Sequence, residues 1–129
     1  MHDKIIKMKF TVDKHDILVV IELNEEKLHS INSPKLKTEL TIINNEGYKN
    51  LVLDLQHVKF IDSSGLSAIL MANRICKESE GTFAMCNLCD QVKSLIKISQ
   101  LENILNIFNT LSEATDFVKM EELEREINS

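Results

Sequence analysis

Residues 60–66, Phe-Ile-Asp-Ser-Ser-Gly-Leu, bring two hydroxyls and a carboxylate to the point where an apolar run gives way to a helical pattern. The first N–H groups of a helix lack intrahelical partners and carry the positive end of its dipole, so an oxyanion on a serine there is electrostatically favoured. The chemistry such a segment can host is phosphorylation of a serine hydroxyl, and the functional reading is a switch with serine as its target. Asp, Ser and Gly at a helix start also meet the ordinary demands of capping, and spacing alone weighs the two readings equally.

Other chemistries fit these residues less well. Ser63 and Ser64 do not stand in a G-x-S-x-G elbow, and an Asp-Ser pair without a placed histidine base cannot activate the hydroxyl in the manner of a hydrolase triad. Asp54, at a strand, could act as a phospho-accepting aspartate only with an acidic metal-binding pair after the first strand; Asp13 and Asp16 flank an expected hairpin instead. Three glycines in the whole chain leave no P-loop or dinucleotide fingerprint, so no cofactor is expected. Cys86 and Cys89 form a CxxC, yet Cys76 and the scattered His2, His15, His29 and His57 supply no second pair at zinc-ligand spacing, so no metal site is expected. An odd cysteine count argues against a disulfide framework and fits a reducing compartment, with Cys76 and Cys86 as small buried residues.

The 129 residues suit one domain covering residues 1–129, with a core over about 8–118 and an acidic extension over 119–129. A net charge of -5 offers no basic stripe for nucleic-acid phosphates, which excludes nucleic acid as a partner. Residues 1–10 lack the apolar stretch and cleavage site of a leader, and no run is long enough to span a bilayer, so a cytoplasmic protein without membrane insertion is expected.

The elements that must position the serine turn alternate between strand and helix. Residues 9–13 and 17–23 are β-prone runs joined by a turn at Lys14-His15-Asp16. Ser33 is expected to cap the first helix with Pro34 at its first position; Leu36, Leu40 and Ile43 then share a face, and Gly47 ends it. Residues 51–55 read as a central strand, followed by a turn at 56–59 and a helix over 64–78 closed by Gly81. In that helix Ala68, Ile69, Ala72, Ile75 and Cys76 mark the core stripe, whereas Leu66 and Met71 fall off it, leaving exposure or burial open. Residues 82–87 form another strand, Val92, Leu95 and Ile96 mark a third helix starting near Asp90, and residues 104–108 form a last strand. Ser112 is expected to cap a final helix carrying Ala114, Phe117 and Val118, continued into the acidic tail by a Glu121–Arg125 pair, the tail itself being a solvated helix end.

This order calls for an α/β layer in which helices cover a sheet. The run Leu51-Val52-Leu53-Asp54-Leu55, the turn Gln56-His57-Val58-Lys59 and the Asp-Ser-Ser-Gly-Leu segment resemble the STAS-domain family, whose best-known members are bacterial anti-sigma factor antagonists. The resemblance runs from about Phe10 to Phe117 and is specific between Leu53 and Leu66. It implies a mixed β-sheet with helices packed largely on one side, and by the family's pattern Ser64, the second serine, as the phosphorylated residue, with Ser63 the second choice. It also implies a cycle in which the unphosphorylated protein binds an anti-sigma factor, often itself a serine protein kinase. Phosphorylation of Ser64 ends the complex and a serine phosphatase restores it. Asp62 would then shape the turn or orient the hydroxyl, Gly65 would admit the kinase backbone, and Leu66 with Met71 would offer apolar docking surface. The alternative is a non-switching STAS subunit of a lipid-transport or stress-signalling assembly. Two positions depart from the family pattern: Glu26-Lys27-Leu28-His29 replaces a common Gly-x-Leu-Asp, and Gln100 stands where a glycine is common before the leucine after the third helix.

Overall fold

The computed structural model describes residues 9–129, so His2 and most of residues 1–10, read above as lacking a leader's features, lie outside the described residues. Eleven elements follow in order among the described residues: β1 (Phe10–Lys14), β2 (Val19–Leu23), β3 (Lys27–Leu28), α1 (Ser33–Asn45), β4 (Leu51–Asp54), β5 (Phe60–Ile61), α2 (Ser63–Glu78), β6 (Phe83–Cys86), α3 (Asp90–Ile98), β7 (Asn106–Phe108) and α4 (Leu111–Ile127).

Five strands form a mixed sheet in the order β1-β2-β4-β6-β7, with β1 antiparallel to β2 and every other pairing parallel. β4 lies at its centre and is buried along its whole length, which is what a continuous apolar run without alternation requires. Because successive strand residues point to opposite faces, the sheet carries two cores. Val19, Ile21, Leu53, Phe83 and Met85 face α1, α2 and α3, whereas Val20, Val52, Ala84 and Cys86 face Ala114 and Val118 of α4. Three helices therefore cover one side and one covers the other.

Several helix ends differ from the sequence reading, each for a local reason. α1 is entered from Asn32, not Ser33: the N–H groups of both residues bond the His29 carbonyl in a tight turn, which puts buried Ser33 at the first helical position and Pro34 at the second. α4 is capped by Thr110, whose hydroxyl accepts the Glu113 N–H while the Glu113 carboxylate accepts the Thr110 N–H; Ser112 lies inside the first turn. Gly47 ends α1 as expected, at φ +101°. The Tyr48 and Gly47 N–H groups return to Ile43 and Asn44, the paired bonds of a Schellman turn. The same bonds close α2 and α3, but there Glu80 (φ 61°) and Gln100 (φ 60°) take the left-handed position. Gly81 serves a different need, since a Cβ on it would lie 1.8 Å from the Lys49 carbonyl oxygen. β2 starts at Val19, two residues later than expected, because residues 15–18 close the hairpin through a bond from the His15 N–H to the Leu18 carbonyl. β6 and β7 are likewise shorter than the runs that announce them.

Candidate functional site

The serine turn is held by a second, two-stranded sheet that the periodicity of the sequence does not announce. β3 and β5 pair in parallel, Lys27 opposite Phe60 and Leu28 opposite Ile61, and the Asp62 N–H continues the ladder to the Leu28 carbonyl at 3.2 Å. The residues that depart from the family pattern, Glu26 to His29, are thus the ones against which the turn is built. Asn32 braces their loop from inside: its carbonyl oxygen accepts the His29 N–H at 2.9 Å, and its amide donates to the Lys27 carbonyl at 2.7 Å.

Asp62 caps α2 with an extended backbone, φ -98° and ψ -173°. One carboxylate oxygen accepts the Gly65 N–H at 2.9 Å and the other the Ser30 N–H at 3.1 Å, so a single side chain ties the start of α2 to the loop before α1. The Gly65 N–H is the main cause holding its carboxyl below the usual aspartate range, joined by the Ser30 and Ser64 N–H groups and His29 against a smaller opposing effect of desolvation. Both oxygens are thereby engaged by backbone. Asp62 shapes the turn, and the bonds that hold it use neither serine hydroxyl.

Ser63 and Ser64 are the first and second residues of α2, which begins one residue earlier than expected; Ser63 is exposed and Ser64 half-buried. Neither is the cap. Gly65 is buried and its closeness is to this chain itself, since a Cβ there would lie 2.3 Å from the Leu28 carbonyl oxygen and 2.9 Å from Ile61 Cγ2. The contact gives the absence of a side chain at Gly65 a reason within this chain, beside the expected approach of a kinase backbone. Leu66 and Met71 are both half-buried, and Leu66 packs on the main core. More exposed apolar surface lies beside the turn: Ile31 (58% exposed) follows Ser30, and Phe60 (52% exposed) precedes Asp62 by two residues. An isoleucine and a phenylalanine outside any helical stripe were the available signal. Lys37 of α1 donates to the Ser67 hydroxyl at 3.1 Å, three residues along α2 from Ser64.

The remaining candidates have structural employment. Asp54 is buried, with one oxygen accepting the Gln56 N–H and the Asn87 amide, both at 3.1 Å. Asp13 lies in β1 beside His15. Burial pushes the Cys76 and Cys86 thiols up to about 12, the latter with help from Asp54, which makes both poor nucleophiles and ligands at neutral pH. Among the described residues no cluster of three or more His, Cys, Asp or Glu could hold a metal, and no helix is long and apolar enough to cross a membrane.

Comparison with known proteins agrees with this geometry. The model of the STAS domain matches residues 9–114. The Bordetella bronchiseptica protein BtrV, named as a candidate anti-sigma factor antagonist, is 29% identical over 103 residues, covering 80% of this chain and 88% of its own. The crystal structure of a candidate anti-sigma factor antagonist from Thermotoga maritima superposes with a TM-score of 0.75 at 28% identity, covering 85% of this chain and 94% of the other. The fold is also that of the Bacillus cell fate determinant SpoIIAA, solved in its phosphorylated form, with a TM-score of 0.67 at 20% identity over 85% of this chain and 99% of that one.

Proposed function

The chain belongs to the STAS domain family, and on that premise we propose that it is an anti-sigma factor antagonist controlled by phosphorylation of Ser64. The observation that carries the reading is a serine in the first turn of a helix whose entry is fixed from two sides, with exposed apolar residues Ile31 and Phe60 around it. The names of the relatives and the phosphorylated SpoIIAA structure support the same direction. In this reading the unphosphorylated chain docks an anti-sigma factor with serine kinase activity through the turn, Ile31 and Phe60; the kinase phosphorylates Ser64, and a serine phosphatase in the cytoplasm reverses it. The chain itself supplies a rigid acceptor and no catalysis.

The Asp62 carboxylate already occupies the anion site at the head of α2. A phosphoryl group on Ser64 therefore adds about -1.5 to -2 charges beside an existing anion, and its repulsion is directed at whatever docks there. In vitro labelling by the cognate kinase tests the site. Ser64→Ala is expected to lose all incorporation with a stability change within about 0.5 kcal/mol, because Ser64 is not the cap. Undiminished incorporation would move the site to Ser63, and no incorporation into either serine would favour the non-switching subunit.

A further inference from the structure

α4 runs on to Ile127, well past residue 114 where the family match ends. Its first half buries Ala114 and Val118 against the sheet, but Met120, Leu123 and Ile127 are 55%, 49% and 70% exposed. At about 100° per residue these three lie within about 60° of one another and on the side of the helix opposite Ala114 and Val118. They form one outward stripe. A mobile tail would smear such a stripe, but this one is clamped: Arg125 donates to Thr82 at 2.8 Å, Asn50 at 2.9 Å and Glu122 at 2.7 Å, fixing the last turns to the end of the sheet.

The clamp also decides the charge of the outer face. The Arg125 guanidinium is turned inward, leaving Asp116, Glu124 and Glu126 of α4 exposed around the stripe, with Lys119 the one exposed cation of α4 among the described residues. Two copies stacking on this face would bring acidic rims together, and an anionic membrane would be repelled. A cationic partner with an apolar face would gain on both counts. We propose that the outer face of the C-terminal half of α4 is a docking surface for a basic amphipathic helix of another protein, separate from the serine turn.

The probe is a synthetic 18-residue amphipathic helix with leucines on one face and lysines on the other, titrated calorimetrically into the full chain. The expected result is one-to-one binding that weakens as salt is raised and falls at least tenfold in Met120→Ser/Leu123→Ser, with the circular-dichroism spectrum unchanged because both residues are exposed. Ile127→Ser, at the last helical residue where the fold cannot depend on it, should lose part of the affinity. Equal binding by the variants, or equal binding of a leucine–glutamate peptide or a scrambled one, overturns the proposal. So does stripe-dependent dimerisation in sedimentation, or stripe-dependent binding to phosphatidylglycerol vesicles. Ser64→Ala should bind the peptide as wild type does, which keeps this result independent of the phosphorylation reading.

Discussion

Gly65 and Leu28 are in backbone-to-backbone contact, close enough that a Cβ on Gly65 would stand 2.3 Å from the Leu28 carbonyl oxygen. The same carbonyl accepts the Asp62 N–H, so the contact that excludes a side chain also aligns the helix cap. Gly65→Ala is expected to destabilise the fold by roughly 1 to 3 kcal/mol, the usual cost of overpacking. Urea denaturation checks this; a stability equal to wild type with partner binding lost would instead return Gly65 to the interface.

Asp62 links stability to pH. Its folded-state pKa lies below the ordinary value of about 3.9, so its contribution is fully present above that value and is lost as pH falls through the lower folded-state pKa. Asp62→Asn should flatten this part of the melting-temperature profile, since an amide oxygen can still cap the helix but does not titrate there. Thermal melts of both proteins from neutral pH down to about pH 2 make the comparison, and superimposable slopes would show that the cap carries no charge-dependent stabilisation.

Arg125 joins α4 to the ends of β4 and β6 through Asn50 and Thr82, both buried. Arg125→Ala takes a charged donor from the Thr82 hydroxyl, the Asn50 oxygen and the largely covered Glu122, leaving Asn50 only the Thr82 N–H and Glu122 Oε1 only the Asn50 amide, for an expected loss of about 1 to 3 kcal/mol. The Arg125 donor, with help from Asn50, also holds the Glu122 carboxyl below the usual glutamate range, so this link too is intact at neutral pH and weakens under acid. Hydrogen exchange should speed up over residues 119–129 in the variant; unchanged protection there would mean that the apolar contacts of α4 suffice.

Gln100 occupies the left-handed position after α3 at φ 60°. A side chain there costs about 1 to 2 kcal/mol, partly offset by the greater unfolded-state freedom of glycine, so Gln100→Gly should stabilise by roughly 0.5 to 1 kcal/mol. A shift of the urea midpoint to lower concentration would contradict this account of the turn.

What could be read from the sequence divides along the range of the interactions concerned. The central strand expected over residues 51–55, the end of α1 at Gly47 and the helix expected from Ser64 are local events written in apolar runs and turn residues, and they stand within one residue of where the residues indicate. The β3–β5 pair was not legible, because two residues per strand carry no periodicity and the pairing joins segments more than thirty positions apart. The tail was misread for the same reason. A Glu121–Arg125 pair satisfies helical spacing, but Arg125 is claimed by Asn50 and Thr82, 75 and 43 residues away, and bonds Glu122 instead. The roles of Gly65 and Gly81 also arise from approaches of distant backbone that no local pattern records.

The central claim is that phosphorylation of Ser64 ends a complex without unfolding this domain. With a partner carboxylate about 6 Å from the phosphate, one unit of like charge at an effective dielectric near 20 costs roughly 3 kcal/mol, about a hundredfold in affinity. Titration calorimetry of the unphosphorylated protein, Ser64→Asp and the Ser64 phosphoprotein against the cognate anti-sigma kinase is the direct measurement. The account predicts about a hundredfold weaker binding for the phosphoprotein, a partial loss for Ser64→Asp and melting temperatures within a few degrees of each other; equal affinities for all three would contradict it.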